Sequence, residues 1–159
     1  MNRKRLFLID AYALIFRGYY AFIKNPRINS KGLDTSAILG FTNSLFDVIK
    51  RENPDYLAVC FDKGGSQDRL EIFSEYKANR DETPEAIKIA VPFIEQILKA
   101  LNIPVVVKKG YEADDIIGTL SKKAEQEGYQ TFMVTPDKDF AQLVTCLLYT
   151  SPSPRDATL

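Results

Sequence analysis

Four short apolar runs punctuate the chain: Leu6 to Ile9, Tyr56 to Phe61, Ile103 to Val107 and Tyr129 to Val134. None alternates cleanly between apolar and polar positions, so each reads as a strand buried on both faces. Between them the period lengthens to that of a helix. Ala11 to Ile23 is helix-like and rich in rings (Tyr12, Phe16, Tyr19, Tyr20, Phe22). Thr35 to Arg51 places Ile38, Phe41, Leu45 and Val48 or Ile49 on one face, and Asn53-Pro54 stops it. Thr83-Pro84-Glu85 opens a third helix, with proline at its first position, that runs to about Leu101 and has Pro92 as a candidate kink. Ile116 to Gln126 repeats Ile117, Leu120 and Ala124 at helical spacing and ends before Gly128. Asn25 to Asp34, with Pro26 and Gly32, and Lys63 to Arg69 read as loops. Ile72 to Arg80 is ambiguous.

Strand and helix alternate from end to end, which predicts an α/β fold with a mostly parallel sheet covered by helices on both faces. In such sheets the functional crevice lies at the carboxyl ends of the strands.

The 159 residues and 18.0 kDa suit one domain with a real core. With 45% hydrophobic and 26% charged residues the chain is globular rather than disordered. Its net charge is zero and its pI about 6.3, so any nucleic-acid binding must come from local patches. The absence of histidine removes His-based triads and His-ligated zinc, leaving carboxylates, Lys and hydroxyls for chemistry. Cys60 and Cys146 make no disulfide framework, and Cys60 lies in an apolar run as a small buried residue. No apolar run approaches the ~18 residues of a membrane span. A soluble, cytoplasmic chain from a reducing compartment is expected, with no membrane partner.

Acidic residues then change the picture. Asp10 follows the first strand and Asp62 the second; Glu112, Asp114 and Asp115 follow the third, and Asp137 and Asp139 the fourth. A single acid at a helix start is explained by capping and the helix dipole. Acids after four successive parallel strands would share one edge and repel one another. Hard divalent cations take oxygen ligands of this kind, so Mg2+ is expected, with Mn2+ able to substitute. A cluster too large for one ion suggests two, spaced ~3.5–4 Å, as in metal-assisted phosphoryl transfer, with water as nucleophile. A polyanionic substrate needs cations beside such a pocket. Arg17, Lys77 and Arg80 are candidates, with Phe16, Tyr20 and Tyr76 available to stack on unpaired bases. Arg17 and Lys77 serve equally as surface charges, and Phe16 as a core residue.

At these residues the chain resembles the 5′ nuclease domain at the N-terminus of bacterial DNA polymerase I, related to flap endonucleases. The carrying motifs are LFLIDAYALIFRGYYAF (Leu6 to Phe22), VCFD (Val59 to Asp62), YKANR (Tyr76 to Arg80), GYEADDIIGTL (Gly110 to Leu120) and TPDKDFAQLV (Thr135 to Val144). The resemblance implies a PIN-like 5′ nuclease fold with a helical arch inserted after the second strand. It implies 5′-3′ hydrolysis of phosphodiesters at DNA single-strand/duplex junctions in replication and repair. The seven acids would be direct or water-mediated metal ligands, Lys77 and Arg80 would polarise the scissile phosphate from the arch, and Phe16 and Arg17 would contact base and phosphate. The substrate implied is a 5′ flap or junction, RNA primers included, cut by a monomer whose parent chain carries a polymerase.

The sequence departs from that family's pattern in places. Before the arch the family shows Phe-Arg-His-Glu, whereas Asp68, Arg69, Leu70 and Glu71 stand here. A further aspartate pair and a duplex-gripping helical element are expected beyond residue 145 and are not found. Residues 1–145 therefore correspond to the N-terminal part of the domain, for which weak or no cleavage is expected. CLLYTSPSPRDATL (Cys146 to Leu159) reads as a structureless tail and resembles a translated sequencing adapter. Two other readings are a receiver-like phosphoacceptor domain, which wants one acceptor Asp and a Lys after the last strand, and a catalytically dead nucleic-acid-binding module.

Overall fold

A computed structural model describes residues 2–62, 83–135 and, as backbone, 148–151. The described elements are β1 (Arg5–Asp10), α1 (Ala11–Ala21), α2 (Ser36–Glu52), β2 (Tyr56–Cys60), α3 (Glu85–Ala100), β3 (Val105–Val106), α4 (Ala113–Gln126), β4 (Gln130–Val134) and β5 (Leu148–Ser151). They fall into two compact units. One holds the five strands and α4; the other holds α1 beyond its first residue, α2 and α3.

In the first unit the strands form one sheet of order β3-β2-β1-β4-β5, every pair parallel. The most apolar segment takes the centre: Phe7, Leu8 and Ile9 of β1 are almost wholly buried. Leu8 pairs in register with Ala58 on one side and Met133 on the other. Because side chains alternate along a strand, Leu6, Leu8 and Asp10 point to one face and Phe7 and Ile9 to the other. On the first face Leu8, Cys60 and Met133 pack against Ala113, Ile116 and Ile117 of α4. On the second, Phe7 and Phe132 stack with centroids 4.5 Å apart, and the Arg5 guanidinium covers both rings. Burying side chains of this size stabilises by about 1.5–3 kcal/mol each.

The third strand is shorter than the apolar run Ile103 to Val107 suggests. It lies at the sheet edge, and Pro104 has no N–H to donate. The ladder nevertheless reaches past its two residues: Val59 N–H donates to Pro104 O and Phe61 N–H to Val106 O, both at 3.0 Å. Helix α4 begins at Ala113, three residues ahead of its first periodic apolar position, because side chains around it satisfy its first amides. The largest correction concerns the expected structureless tail. Leu148–Ser151 forms β5, paired in parallel to β4 with Thr131 opposite Leu148 and Val134 opposite Ser151. Leu-Tyr-Thr-Ser suits a strand, and β4 would otherwise present an unpaired edge.

In the second unit α2 buries Ala37, Phe41, Leu45 and Val48 and packs along α3, whose Ile87, Ala90, Ile94 and Leu98 are fully buried or nearly so. Asn53 ends α2 in the left-handed conformation, φ 44°, returning its N–H to Ile49 O. Helix α3 continues through Pro92, which lies on an exposed side where water can serve the carbonyl the proline leaves unbonded. Helices α1 and α2 touch at two glycines: a Cβ on Gly18 would lie 2.8 Å from Gly40 Cα. The connecting loop Asn25 to Asp34 is closed by an antiparallel bridge between Ile28 and Asp34.

Among the described residues no helix is long and apolar enough to cross a membrane. The expected arch residues Tyr76, Lys77 and Arg80 lie outside the described residues, as do Cys146 and the rest of the tail beyond Ser151.

Candidate functional site

The chain runs β1, β2, β3 outward in one direction and then returns to place β4 on the other side of β1. The reversal lies between β1 and β4, and in doubly wound sheets the crevice opens there, at the carboxyl ends. Asp10 is the last residue of β1 and pairs in register with Cys60. Thr135 follows β4, and its hydroxyl lies 3.4 Å from Asp10 Oδ2. Asp10 and Asp62 are both half-buried. They act together on a nearby thiol: burial first, and then the charges of Asp10 and Asp62, push Cys60 up to about 12.

Asp62 reaches across from the end of β2 to α4, where its Oδ1 accepts the backbone N–H of Ala113. The next turn carries the remaining described acids. Glu112 is the N-cap residue, with extended backbone (φ −80°, ψ 161°), and forms a reciprocal capping box with Asp115. Glu112 N–H donates to Asp115 Oδ2 at 3.3 Å, and Asp115 N–H to Asp114 Oδ1 at 2.9 Å. Asp114 is raised above the ordinary aspartate range, first by desolvation and then by the charges of Glu112 and Asp115, against the lowering pull of backbone N–H donors.

Asp10, Asp62, Glu112, Asp114 and Asp115 therefore occupy the carboxyl edge of one sheet and the helix start tied to it. They do not collapse into one nest. Among the described residues no three Asp, Glu or Cys side chains are gathered so as to hold a metal ion. Each of the five accepts from a nearby donor: Thr135 for Asp10, the Ala113 amide for Asp62, and backbone amides of the turn itself for Glu112, Asp114 and Asp115. Asp137 and Asp139 lie outside the described residues. The donor set is all oxygen apart from the neutral Cys60 thiol, which suits a hard divalent cation.

In the other unit, Tyr12, Phe16 and Tyr20 climb one side of α1, ring centroids 6.5 and 6.4 Å apart. Tyr20 is 55% exposed, while Phe16 and Arg17 are half-buried. Phe16 is partly packed, and its ring continues a ladder that ends in the exposed Tyr20.

Thr135, Ala113 and Cys60 were not legible as site residues. Thr135 had a signal, as the first residue beyond the fourth apolar run. Ala113 had none, because its part is played by a backbone amide.

A family profile described as "5′-3′ exonuclease, N-terminal resolvase-like domain" matches residues 5–155. A 5′-3′ exonuclease of Aquifex aeolicus is 40% identical over 142 residues, which is 89% of this chain and 48% of that one. The DNA polymerase I of Chloroflexus aurantiacus is 42% identical over 139 residues, 87% of this chain and 15% of its own. The chain thus spans less than half the length of these relatives. Among solved structures, zinc-bound T5 5′-exonuclease superposes with a TM-score of 0.63 at 21% identity, covering 91% of this chain and 54% of that one. The Rad2 catalytic core with a DNA substrate gives 0.52 at 16% identity, covering 94% of this chain and 44% of that one. These likenesses establish the 5′ nuclease fold and leave no place for the receiver-like alternative. By its sequence from Arg5 to Arg155, the chain belongs to the family of N-terminal resolvase-like domains of 5′-3′ exonucleases.

Proposed function

We propose that this chain carries the acidic half of a 5′ nuclease centre, acting on DNA at single-strand/duplex junctions and requiring divalent cations, Mg2+ in the cell. One observation carries the reading most directly. Asp10 and Asp62 lie near Cys60 at the carboxyl edge of the sheet, and Asp62 accepts the Ala113 N–H at the start of the turn bearing Glu112, Asp114 and Asp115. Asp10, Asp62, Glu112, Asp114 and Asp115, with Asp137 and Asp139, would hold the cations directly or through water. When bound, such cations supply the positive charge that phosphodiester hydrolysis needs at the attacking and leaving oxygens. With no histidine in the chain, no imidazole is available to move the proton.

The protein's own residues hold the acids oriented. The ring ladder of Phe16 and Tyr20 offers faces to unpaired bases, and base–aromatic stacking of that kind contributes about 1–3 kcal/mol per base. Arg17, Lys77 and Arg80 would contact phosphates, Tyr76 would add a further ring, and the DNA polymerase I relatives suggest a polymerase in the same parent protein.

A thermal melt against added Mg2+ or Mn2+, run beside a labelled 5′-flap DNA, tests this. Cations should raise the melting temperature through binding to the folded state, and Asp10→Ala with Asp62→Ala should remove the rise together with any flap cleavage. A wild-type melt indifferent to both ions overturns the reading.

A further inference from the structure

The first turn of α4 serves most of its own amides. Glu112 N–H is taken by Asp115 and Asp115 N–H by Asp114, and the reciprocal box completes the turn. The amide of Ala113 is different. It is the first helical residue, its N–H has no partner within the helix, and Ala113 is only 2% exposed. Its acceptor comes from 51 residues away, the carboxylate of Asp62. That residue follows Phe61, which is 1% exposed and bonded to Val106 O, so its backbone is anchored in the sheet.

We propose that Asp62 is a positioning residue for the acidic turn: by capping Ala113 it fixes Glu112, Asp114 and Asp115 to the sheet edge. The core contacts of Ile116 and Ile117 hold the body of α4. The tether from Asp62 holds its start, where the acids are. The proposal rests on the nuclease reading only in saying what the fixed acids are for.

Two substitutions separate this role from loss of a charge. Asp62→Asn keeps an accepting Oδ1 and loses the charge; Asp62→Ala loses both. Hydrogen exchange in EDTA should show the Ala113 amide exchanging about tenfold faster in Asp62→Ala, as for a lost helix cap. Asp62→Asn should stay near wild type, with Ile117 to Ala124 unchanged in both. Ala113→Pro cuts the tether from the other end and leaves every carboxylate in place. Proline is favoured at this first helical position, and the extended backbone of Glu112 suits a residue before proline. It should lower Ca2+ affinity by ~10-fold or more, as loss of a ligand-orienting contact does. Equal exchange in Asp62→Asn and Asp62→Ala, or wild-type Ca2+ affinity in Ala113→Pro, overturns the tether. Wild-type protein that ignores Ca2+ overturns the nuclease reading instead, and the exchange in EDTA decides the tether by itself.

Discussion

The hydroxyl of Thr135 lies 3.4 Å from Asp10 Oδ2, linking the ends of β4 and β1 where the sheet reverses direction. Thr135 is 8% exposed, so this long contact is shielded from competing water. Thr135→Val keeps the outline and removes the donor. It should destabilise by about 0.5–1.5 kcal/mol, the usual net value of one hydrogen bond, read as a lower urea midpoint at unchanged slope. Thr135→Ser should recover most of it.

Gly18→Ala ought to stabilise α1 by about 1 kcal/mol on helix propensity alone. The contact with α2 reverses the sign. The new Cβ would stand 2.8 Å from Gly40 Cα, and one on Gly40 would stand 2.3 Å from Gly18 Cα. Backbone cannot yield as a flexible side chain does, so overpacking costs about 1–3 kcal/mol. Both variants should melt below wild type, Gly40→Ala lower than Gly18→Ala.

Asp114 is raised above the ordinary aspartate range by desolvation and by Glu112 and Asp115. A carboxyl raised on folding contributes stability below its unfolded range, and that contribution is lost as pH rises through the folded value. At neutral pH the charged Asp114 is therefore a small liability. Asp114→Asn should stabilise the folded protein slightly in EDTA, by no more than ~0.5 kcal/mol for so exposed a group, read as a higher melting temperature. Under the proposed function it should also reduce the further rise that Mg2+ produces.

Cys60 is fully buried, and its thiol is pushed up to about 12 from 9.0. The sign is that of a raised group: its contribution is intact below pH 9 and is lost as pH climbs toward 12. In a Cys146→Ser background, a thiol-labelling reagent at pH 8 should leave folded protein unmodified and label it only as denaturant unfolds it. Rapid labelling of the native chain would show that the edge of the sheet opens.

Much of this was legible beforehand. The first four strands and the helices followed from the hydrophobic pattern alone, since Phe7 to Ile9 or Phe41, Leu45 and Val48 have one sensible place to go. Asp10 and Asp62 were legible because a buried parallel strand leaves its following residue at the carboxyl edge. What escaped was tertiary. Ala113 became the start of α4 because a carboxylate from β2 meets its amide, a partner no local pattern announces. Leu148–Ser151 became a strand because β4 offered it an edge, which outweighs a composition rich in Ser and Pro around it. The donors that hold the described acids, the Thr135 hydroxyl and the amides of the α4 turn, were likewise tertiary or conformational detail that no local pattern announces.

The order of the strands has a consequence for how the protein is made. β1 emerges from the ribosome before β2 and β4, yet it lies between them, and more than a hundred residues separate it from β4. The nascent chain must therefore carry Leu6 to Ile9 without one of its two neighbours until Gln130–Val134 has left the exit tunnel. Every pairing in the sheet is long-range, which makes folding slow and the waiting strand prone to aggregation. Asp10 gains its Thr135 partner only at that late step.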